Sequence, residues 1–362
     1  MNMRRRVTLR CLVDDLDTDW SDEGQHRFIV SLRQKVADVV AGDAKDSSLG
    51  RDLRALPGMN LLAHPLVTHF ENQFAGVGDH QRENIGNLSD PHWWKQKTGR
   101  WRGAASDHSR LGDGVWLCAG GRRTAGSNDD FYAVFKSNVL SYGPEGYFPA
   151  AEDAVLLRAE NKIHLLDAWK LQLQLVANVL LADAASHPGT TIGPVEITTP
   201  NLSSREDALA GLSVCVEEMP AGDDVMYACL VIVEPSMSAN RLFVTQLIET
   251  VTAAIQVDPA EWRMALHGPE GRATSHEAAL DRSHLDRARQ IRQAGQLEED
   301  EEARSLTLGV NAHYSRRERL TDASVAGSPV EAICGYWFVP TADHETRDVC
   351  AECHEGHEAL AT

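Results

Sequence analysis

Four residues near the end of the chain have the types and spacing of metal ligands. They are His313, Cys334, Cys350 and Cys353, in the pattern His-x20-Cys-x15-Cys-x2-Cys. Thiolates and imidazole nitrogens bind tetrahedral zinc, and a Cys-x2-Cys turn presents two thiolates to one ion. Because the protein fills all four positions, no coordination position remains for a substrate. The pattern therefore predicts one structural zinc ion per chain, which holds together a small module over residues 305–362.

Other interpretations of these residues remain open. His344, His354 or His357 could replace His313 as the fourth ligand. Cys350 to His354 also reads Cys-x-x-Cys-His, the attachment pattern of c-type haem. Haem attachment follows export, the first residues do not predict a signal peptide, and haem would leave Cys334 unexplained. A redox dithiol at Cys350 and Cys353 lacks the strand–helix context that this motif requires.

The segment over about residues 305–360 resembles a small actinobacterial zinc-ribbon-like family of uncharacterised function. The resemblance supports the ligand set, favours His313 as the fourth ligand and implies no activity. The chain has Trp337-Phe338-Val339-Pro340 where the family often reads Val-Trp-Val-Pro. The matching positions are His313, Arg316, Arg317, Gly327 to Val330, Cys334-Gly335, Val339-Pro340 and Val349 to Cys353.

A second group of residues interleaves aromatic rings with cations. Tryptophan faces can stack on nucleic-acid bases while lysine and arginine contact phosphates. The alternative is that the rings anchor an irregular loop and the cations stay solvated. We call this group the Trp/Arg zone and regard it as the candidate contact surface of the body. Its members are Trp93, Trp94, Lys97, Arg100, Trp101, Arg102, Arg122 and Arg123.

An acidic loop follows the expected opening strand and contains Asp14, Asp15 and Asp17. Carboxylates after a strand can hold Mg²⁺ for phosphoryl chemistry. The run is superficially similar to the Asp-x-Asp-Gly-Thr motif of haloacid-dehalogenase-like phosphatases, but the glycine is missing. A solvated loop explains the same residues. An enzyme acting on phosphate-containing substrates, with Arg122 and Arg123 assisting, is therefore the second hypothesis.

Composition limits the classes of function. The chain has 362 residues, 43% hydrophobic residues and a net charge of −18. This charge disfavours non-specific nucleic-acid binding, so such binding would need a local basic patch. Cys11, Cys118, Cys215 and Cys229 lie in apolar runs and are expected to be buried free thiols. No stretch predicts a membrane helix, and we expect a cytoplasmic location.

The pattern of elements predicts an α+β protein. We expect a body over residues 1–280 with a sub-boundary near 150, a charged linker helix over 281–304, and the module. Expected strands cover 7–13, 115–119, 131–135, 195–198, 212–217 and 225–233. Expected helices cover 59–74, 151–185, 240–256 and 283–304, and a further one contains residues 28–40. Segments 76–109 and 267–276 are expected to be irregular.

These observations favour a zinc-stabilised cytoplasmic binding or accessory protein over an enzyme. A protein partner fits the acidic composition best, and nucleic acid could bind through the Trp/Arg zone. The sequence does not determine the oligomeric state.

Overall fold

The computed structural model shows an α+β protein, as the sequence predicted. Several residues named above lie outside the described residues. They are the motif positions Arg316, Arg317, Gly335, Val339 and Pro340, and the alternative ligand His344. The structure describes residues 5–45, 49–55, 62–75, 82–86, 88, 90–107, 114–123, 130–200, 207–221, 224–267, 273–298, 301–306, 312–315, 320, 330–334, 337–338 and 348–361.

The chain forms two compact units, Met1–Ile163 and His164–Thr362. The limit between them falls inside a long helix, so it does not test the expected boundaries at 150, 280 and 305, which stay predictions.

The first unit contains a four-stranded sheet in the order β1-β4-β3-β2. β1 runs parallel to β4, and the other neighbours are antiparallel. The strands are β1 (Arg5–Val7), β2 (Trp94–Thr98), β3 (Trp101–Ser106) and β4 (Val115–Arg122).

Helices pack on both faces of this sheet, because both faces carry apolar side chains. The helices are α1 (Glu23–Ala41), α2 (Leu49–Ala55), α3 (Pro65–Phe74) and α4 (Phe131–Tyr142). Leu117 packs with Leu32 and Phe70 in one core, and Trp116 packs with Phe135 in the other. Asp22 caps the first turn of α1 by accepting from two backbone N–H groups, and Gly42 ends the helix at φ 86°.

The second unit contains a five-stranded antiparallel sheet in the order β5-β6-β7-β9-β8. Three helices cover one face, where Val214 and Val231 pack with Leu173, Leu247 and Leu285. The elements are α5 (Ala151–Ser186), β5 (Ile192–Thr198), β6 (Ala208–Ala221), β7 (Asp224–Pro235), α6 (Arg241–Ile255), β8 (Arg263–His267), β9 (Ala273–Leu280) and α7 (Arg282–Ala294). The predicted helices near α5 and α6, the β6–β7 hairpin and the strand within β5 are confirmed.

α5 is, among the described helices, the one long and apolar enough to cross a membrane by length and composition. A core helix of a soluble protein passes the same test. Val155 and Ala159 lie in the core of the first unit, and Leu173, Ala177 and Leu181 lie in the core of the second. This burial along the helix is typical of a core helix.

Two expectations for the first 140 residues are wrong. The opening strand ends at Val7, and Cys11–Asp15 forms a π-helix, because Leu9 donates its backbone N–H to Asp153 Oδ1 at 2.7 Å instead of continuing the sheet. The expected strand over 131–135 is the start of α4. Phe135 and Val139 are buried at a spacing of four, a helical period that a five-residue window could not reveal.

Three further boundaries differ from expectation. The segment over 76–109 contains the β2–β3 hairpin, turned through Gly99 at φ 49°. β9 begins at Ala273, inside the expected loop. α7 ends at Ala294 rather than at residue 304, because Gly295 adopts φ 67° and terminates it. α7 packs into the core through Leu285 and Ile291.

Candidate metal centre

The four predicted ligands lie together in the second unit. The Nδ1 or Nε2 atom of His313 and the Sγ atoms of Cys334, Cys350 and Cys353 all lie within 4.8 Å of one another. They form the one group of three or more potential metal ligands found among the described residues. The group could therefore bind a metal ion.

Short elements bring these residues together. Cys334 follows β10 (Val330–Glu331), which pairs antiparallel with β11 (Trp337–Phe338). Cys350 directly precedes α8 (Ala351–Ala361), and Cys353 lies in its first turn. The His313 segment is tied to both neighbours, since Cys350 N donates to Ala312 O at 2.9 Å and Ile333 N donates to Tyr314 O at 2.8 Å. Sequence-distant ligands therefore converge through backbone hydrogen bonds.

The interatomic distances fit a tetrahedral ion. His313 Nδ1 lies 3.4 Å from Cys334 Sγ and 3.6 Å from Cys353 Sγ. Metal–ligand bonds of about 2.3 Å to sulfur and about 2.0 Å to nitrogen, at a tetrahedral angle, place these atoms about 3.5 Å apart. These two nitrogen–sulfur distances therefore fit a tetrahedral metal ion.

The environment keeps His313 able to bind a metal. Burial lowers the pKa of His313 below its ordinary value of 6.5, and the charge of Glu352 acts in the opposite direction. The imidazole is therefore neutral at pH 7, which is the form that binds metals. Cys353 is fully buried, whereas Cys334 and Cys350 are partly exposed.

The described alternative ligands make other contacts. His354 Nδ1 lies 3.8 Å from Glu358 Oε1, and His357 packs on the Tyr314 ring with centroids 4.7 Å apart. Neither belongs to the four-residue group. α8 closely approaches the segment that follows β10, because a Cβ at Gly356 would lie 2.7 Å from Ile333 Cγ2. A larger residue there would push α8 and its cysteine away.

The acidic loop does not assemble a group of three metal ligands within the described part of the chain. Asp15 accepts two hydrogen bonds from Arg10, at 2.8 and 3.1 Å, and one from Gly120 N at 2.9 Å. Burial raises the pKa of Asp15, and Arg10 opposes this rise. Asp14 pairs with Arg33, and Asp17 lies 3.9 Å from Arg122. The metal-dependent enzyme hypothesis gains no support from this geometry.

Several members of the Trp/Arg zone are not available as contact groups. Trp93 and Trp101 are 0% and 2% exposed, so an external base cannot stack on them. Trp94 is half-buried and donates from Nε1 to Asp107 Oδ1 at 3.2 Å. The structural interpretation, in which the rings anchor the chain, describes these three tryptophans.

Acidic residues neutralise much of the zone's positive charge. Lys97 and its neighbour Lys95 both bind the Glu83 carboxylate. Arg100 forms a two-bond ion pair with Asp19. Arg102 donates to the carbonyls of residues 99 and 101, and the side chain of Arg123 is on the surface. These partners reduce the attraction of the zone for phosphate.

The acidic loop and the Trp/Arg zone meet at Asp19, which sequence reasoning missed. Asp19 Oδ2 also accepts from Trp101 Nε1 at 2.9 Å, and Arg122 lies over the Trp101 ring at 5.6 Å from its centroid. Asp19 and Arg100 are 81 positions apart, so no local spacing could have linked them. The nearest signal was the presence of Asp19 in the same acidic run as Asp17.

Comparison with known proteins identifies one part of the chain. Residues 309–360 match the family described as a protein of unknown function (DUF3039). This DUF3039 region contains all four residues of the candidate metal centre, which agrees with a small C-terminal domain of uncharacterised function. No curated protein and no solved structure matches the chain.

Proposed function

We propose that the DUF3039 region binds one structural zinc ion through His313 Nδ1 and three cysteine thiolates, as a zinc-ribbon-like module. The spacing of the four ligand atoms within 4.8 Å of one another is the observation that carries this proposal. Three thiolates and one imidazole are a donor set that zinc prefers over harder ions such as Mg²⁺. With four protein ligands the ion has no open position and serves stability rather than catalysis.

A small apolar core explains why such an ion is needed. Around the centre, Val330 is 4% and Ala332 is 5% exposed, and both side chains are small. Modules of this size bury little apolar surface and are marginally stable, and metal binding contributes free energy to their folding.

Elemental analysis tests the proposal. Purified protein should contain about one zinc per chain. Cys353→Ser should lose the zinc, whereas Cys215→Ala, which removes a cysteine from the sheet of the second unit, should retain it. His313→Ala should lose zinc while His354→Ala and His357→Ala keep it. Zinc retained in Cys353→Ser, or absent from the unmodified protein, would contradict the ligand set.

The whole protein is, in this proposal, a cytoplasmic binding or accessory protein with a protein partner. None of the seven cysteines, all of them among the described residues, forms a disulfide, as expected in a reducing compartment. The segment over 305–362 has four Lys/Arg and nine Asp/Glu, a net charge of −5. This charge and the ion-paired cations of the Trp/Arg zone favour a protein partner over nucleic acid.

Fluorescence anisotropy with labelled single-stranded DNA and RNA separates the two partner classes. At physiological salt we expect no binding, because Lys97 and Arg100 are paired with acidic residues and the chain is strongly acidic. Binding that Lys97→Glu abolishes would overturn the preference for a protein partner, since Lys97 lies on the surface of the zone.

A further inference from the structure

The first unit contains a cleft that neither the metal centre nor the proposed function uses. Its volume is ≈ 430 Å³, which is within the size range of small-molecule sites. It lies between the end of the acidic loop, the first half of α3 and the last residue of β2. The polar side chains that line it are Asp19, Ser21, His64, Thr68, His69, Asn72 and Thr98.

Asp19 is held in a strained conformation at the rim of this cleft. Its φ is 67°, and it is the one non-glycine residue with a positive φ among those described. Such a conformation costs about 1 kcal/mol or more and occurs often at functional sites. The Arg100 pair and the Trp101 N–H lower the pKa of Asp19 below 3.8, so its carboxylate stays ionised. The Asp19 carboxylate is therefore a hydrogen-bond acceptor in the cleft lining, and Arg100 and Trp101 hold it in place.

His64 makes the wall behind Asp19 rigid. Its Nδ1 accepts from Leu66 N at 3.1 Å, and its Nε2 donates to Thr18 O at 3.1 Å. The Trp20 and Trp101 rings pack against the imidazole, with centroids 5.3 and 4.6 Å away. The loop that carries Asp19 is thus fixed to the start of α3 before any ligand arrives.

The lining retains unused hydrogen-bonding capacity. Ser21 Oγ donates to Ala63 O at 2.9 Å and Thr68 Oγ1 donates to His64 O at 3.2 Å, which leaves their oxygens able to accept. Within the described part of the chain, the side chains of Asn72 and Thr98 have no hydrogen-bond partner. The cleft therefore offers both acceptors and donors.

A buried amide lies near Thr98 in β2, outside the residues that line the cleft. Gln96 lies two residues earlier on the same face of β2 and is 0% exposed. Neither its Oε1 nor its Nε2 has a hydrogen-bond partner among the described residues. A polar group is retained here at a cost in stability, which is more expected of a binding region than of a core.

We propose that this cleft binds a neutral polyhydroxylated small molecule, a sugar or polyol. Each ligand hydroxyl can donate to Asp19 or Ser21 and accept from Asn72 or Thr98. Arg100 already compensates the charge of Asp19, so an ammonium ligand would compete with a guanidinium pair. An anion would instead meet the Asp19 carboxylate. Neutral hydroxyl groups match the lining without either penalty.

Saturation-transfer difference NMR with glucose, ribose and myo-inositol at millimolar concentrations tests this proposal on the full chain. We expect transfer to at least one of the three, and its loss in Thr98→Val and in Asn72→Ala. Asp19→Asn, which tolerates a positive φ, should weaken binding at least about tenfold because a charged acceptor is lost. Thr190→Val, an exposed threonine of the second unit, is the matched control and should leave transfer unchanged.

Three results would overturn the proposal: no transfer to any of the three probes, transfer that survives both Thr98→Val and Asn72→Ala, or preferential transfer to ethanolamine as an ammonium probe. Circular dichroism measured on the same samples shows whether each variant is folded. Because the cleft and the metal centre lie in different units, either proposal can fail while the other holds.

Discussion

His64 makes the stability of the first unit depend on pH. The side chain is fully buried, and burial lowers the pKa of His64 from 6.5 to about 4, while the bond to Thr18 and the charge of Asp19 act in the opposite direction. The unfolded chain therefore takes up a proton near pH 6.5, and the folded chain takes it up only near pH 4. The contribution of His64 to the free energy of unfolding is fully present above pH 6.5 and is lost as the pH falls toward 4. The loss at pH 4.5 is about 2.5 kcal/mol.

His64→Asn isolates this contribution. An asparagine oxygen can still accept from Leu66 N at the start of α3, but the side chain does not titrate. We would measure the free energy of unfolding by urea at pH 7 and at pH 4.5, following tryptophan fluorescence. The decrease between these two pH values should be about 2.5 kcal/mol smaller in His64→Asn than in the unmodified protein. Contributions from His276 and from the metal centre are present in both proteins and cancel in this comparison.

The absolute stability at pH 7 does not enter this test. His64→Asn loses the ring contacts with Trp20 and Trp101 and is expected to be less stable at every pH. The exposed His187 provides a control, since His187→Asn should keep the pH dependence of the unmodified protein. An equal pH dependence in His64→Asn and the unmodified protein would refute the buried, neutral assignment of His64.

Three other substitutions test packing. Thr250→Val should raise the free energy of unfolding by about 1 kcal/mol, because the fully buried hydroxyl has no hydrogen-bond partner among the described residues; lower stability in urea denaturation would contradict this. Gln174→Leu should lower the free energy of unfolding by about 1–3 kcal/mol and expose residues 301–306 to protease, because the Gln174 amide forms hydrogen bonds with Glu302 O and Arg304 N. An unchanged cleavage pattern would contradict this expectation. Gly121→Ala should lower the melting temperature, because its Cβ would lie 2.7 Å from Phe131 Cδ2; an unchanged melting temperature would show that the ring moves freely.

Long, regular patterns allowed the sequence to predict α5 and the β6–β7 hairpin of the second unit. α5 has 36 residues and the β6–β7 hairpin has strands of 14 and 12 residues, so their periods are sampled many times. The strand expected through Val13 and the strand expected at Phe131 rested on short windows. There, tertiary contacts such as Leu9 N to Asp153 decide the conformation, and these contacts are absent from local sequence.

The metal centre and the cleft also differ in how far the sequence could predict them. The chain has only seven cysteines, and three of them lie near the C-terminus, so their clustering indicated one centre before its geometry was known. The cleft combines Asp19, Asn72 and Thr98, which are common residue types far apart in the chain. Only the packing of α3 on β2 brings them together, and no spacing rule could have predicted that arrangement.

Removal of the metal should unfold the DUF3039 region, and we expect this unfolding to stop at residues 301–306. The segment before this region is fixed to the second unit, because Leu306 N donates to Glu249 O at 2.9 Å and Glu301 binds Arg287 and Arg304. Those contacts involve no metal ligand. The backbone bonds around His313, in contrast, depend on elements of only a few residues, so the loss of zinc-binding free energy, of order 10 kcal/mol, should exceed their stability.

Hydrogen exchange with and without a chelator measures this limit. We expect amides over 312–361 to lose protection from exchange and those of α5, α6 and α7 to keep it. Among the strands of the sheet, β8 should lose protection first, because β11 lies beside it. Cys353→Ser without chelator should give the same pattern, which separates loss of the metal from an effect of the chelator. If α7 and β9 lost protection together with the DUF3039 region, the metal would stabilise the whole second unit, and the contacts at residues 301–306 would not act as a boundary.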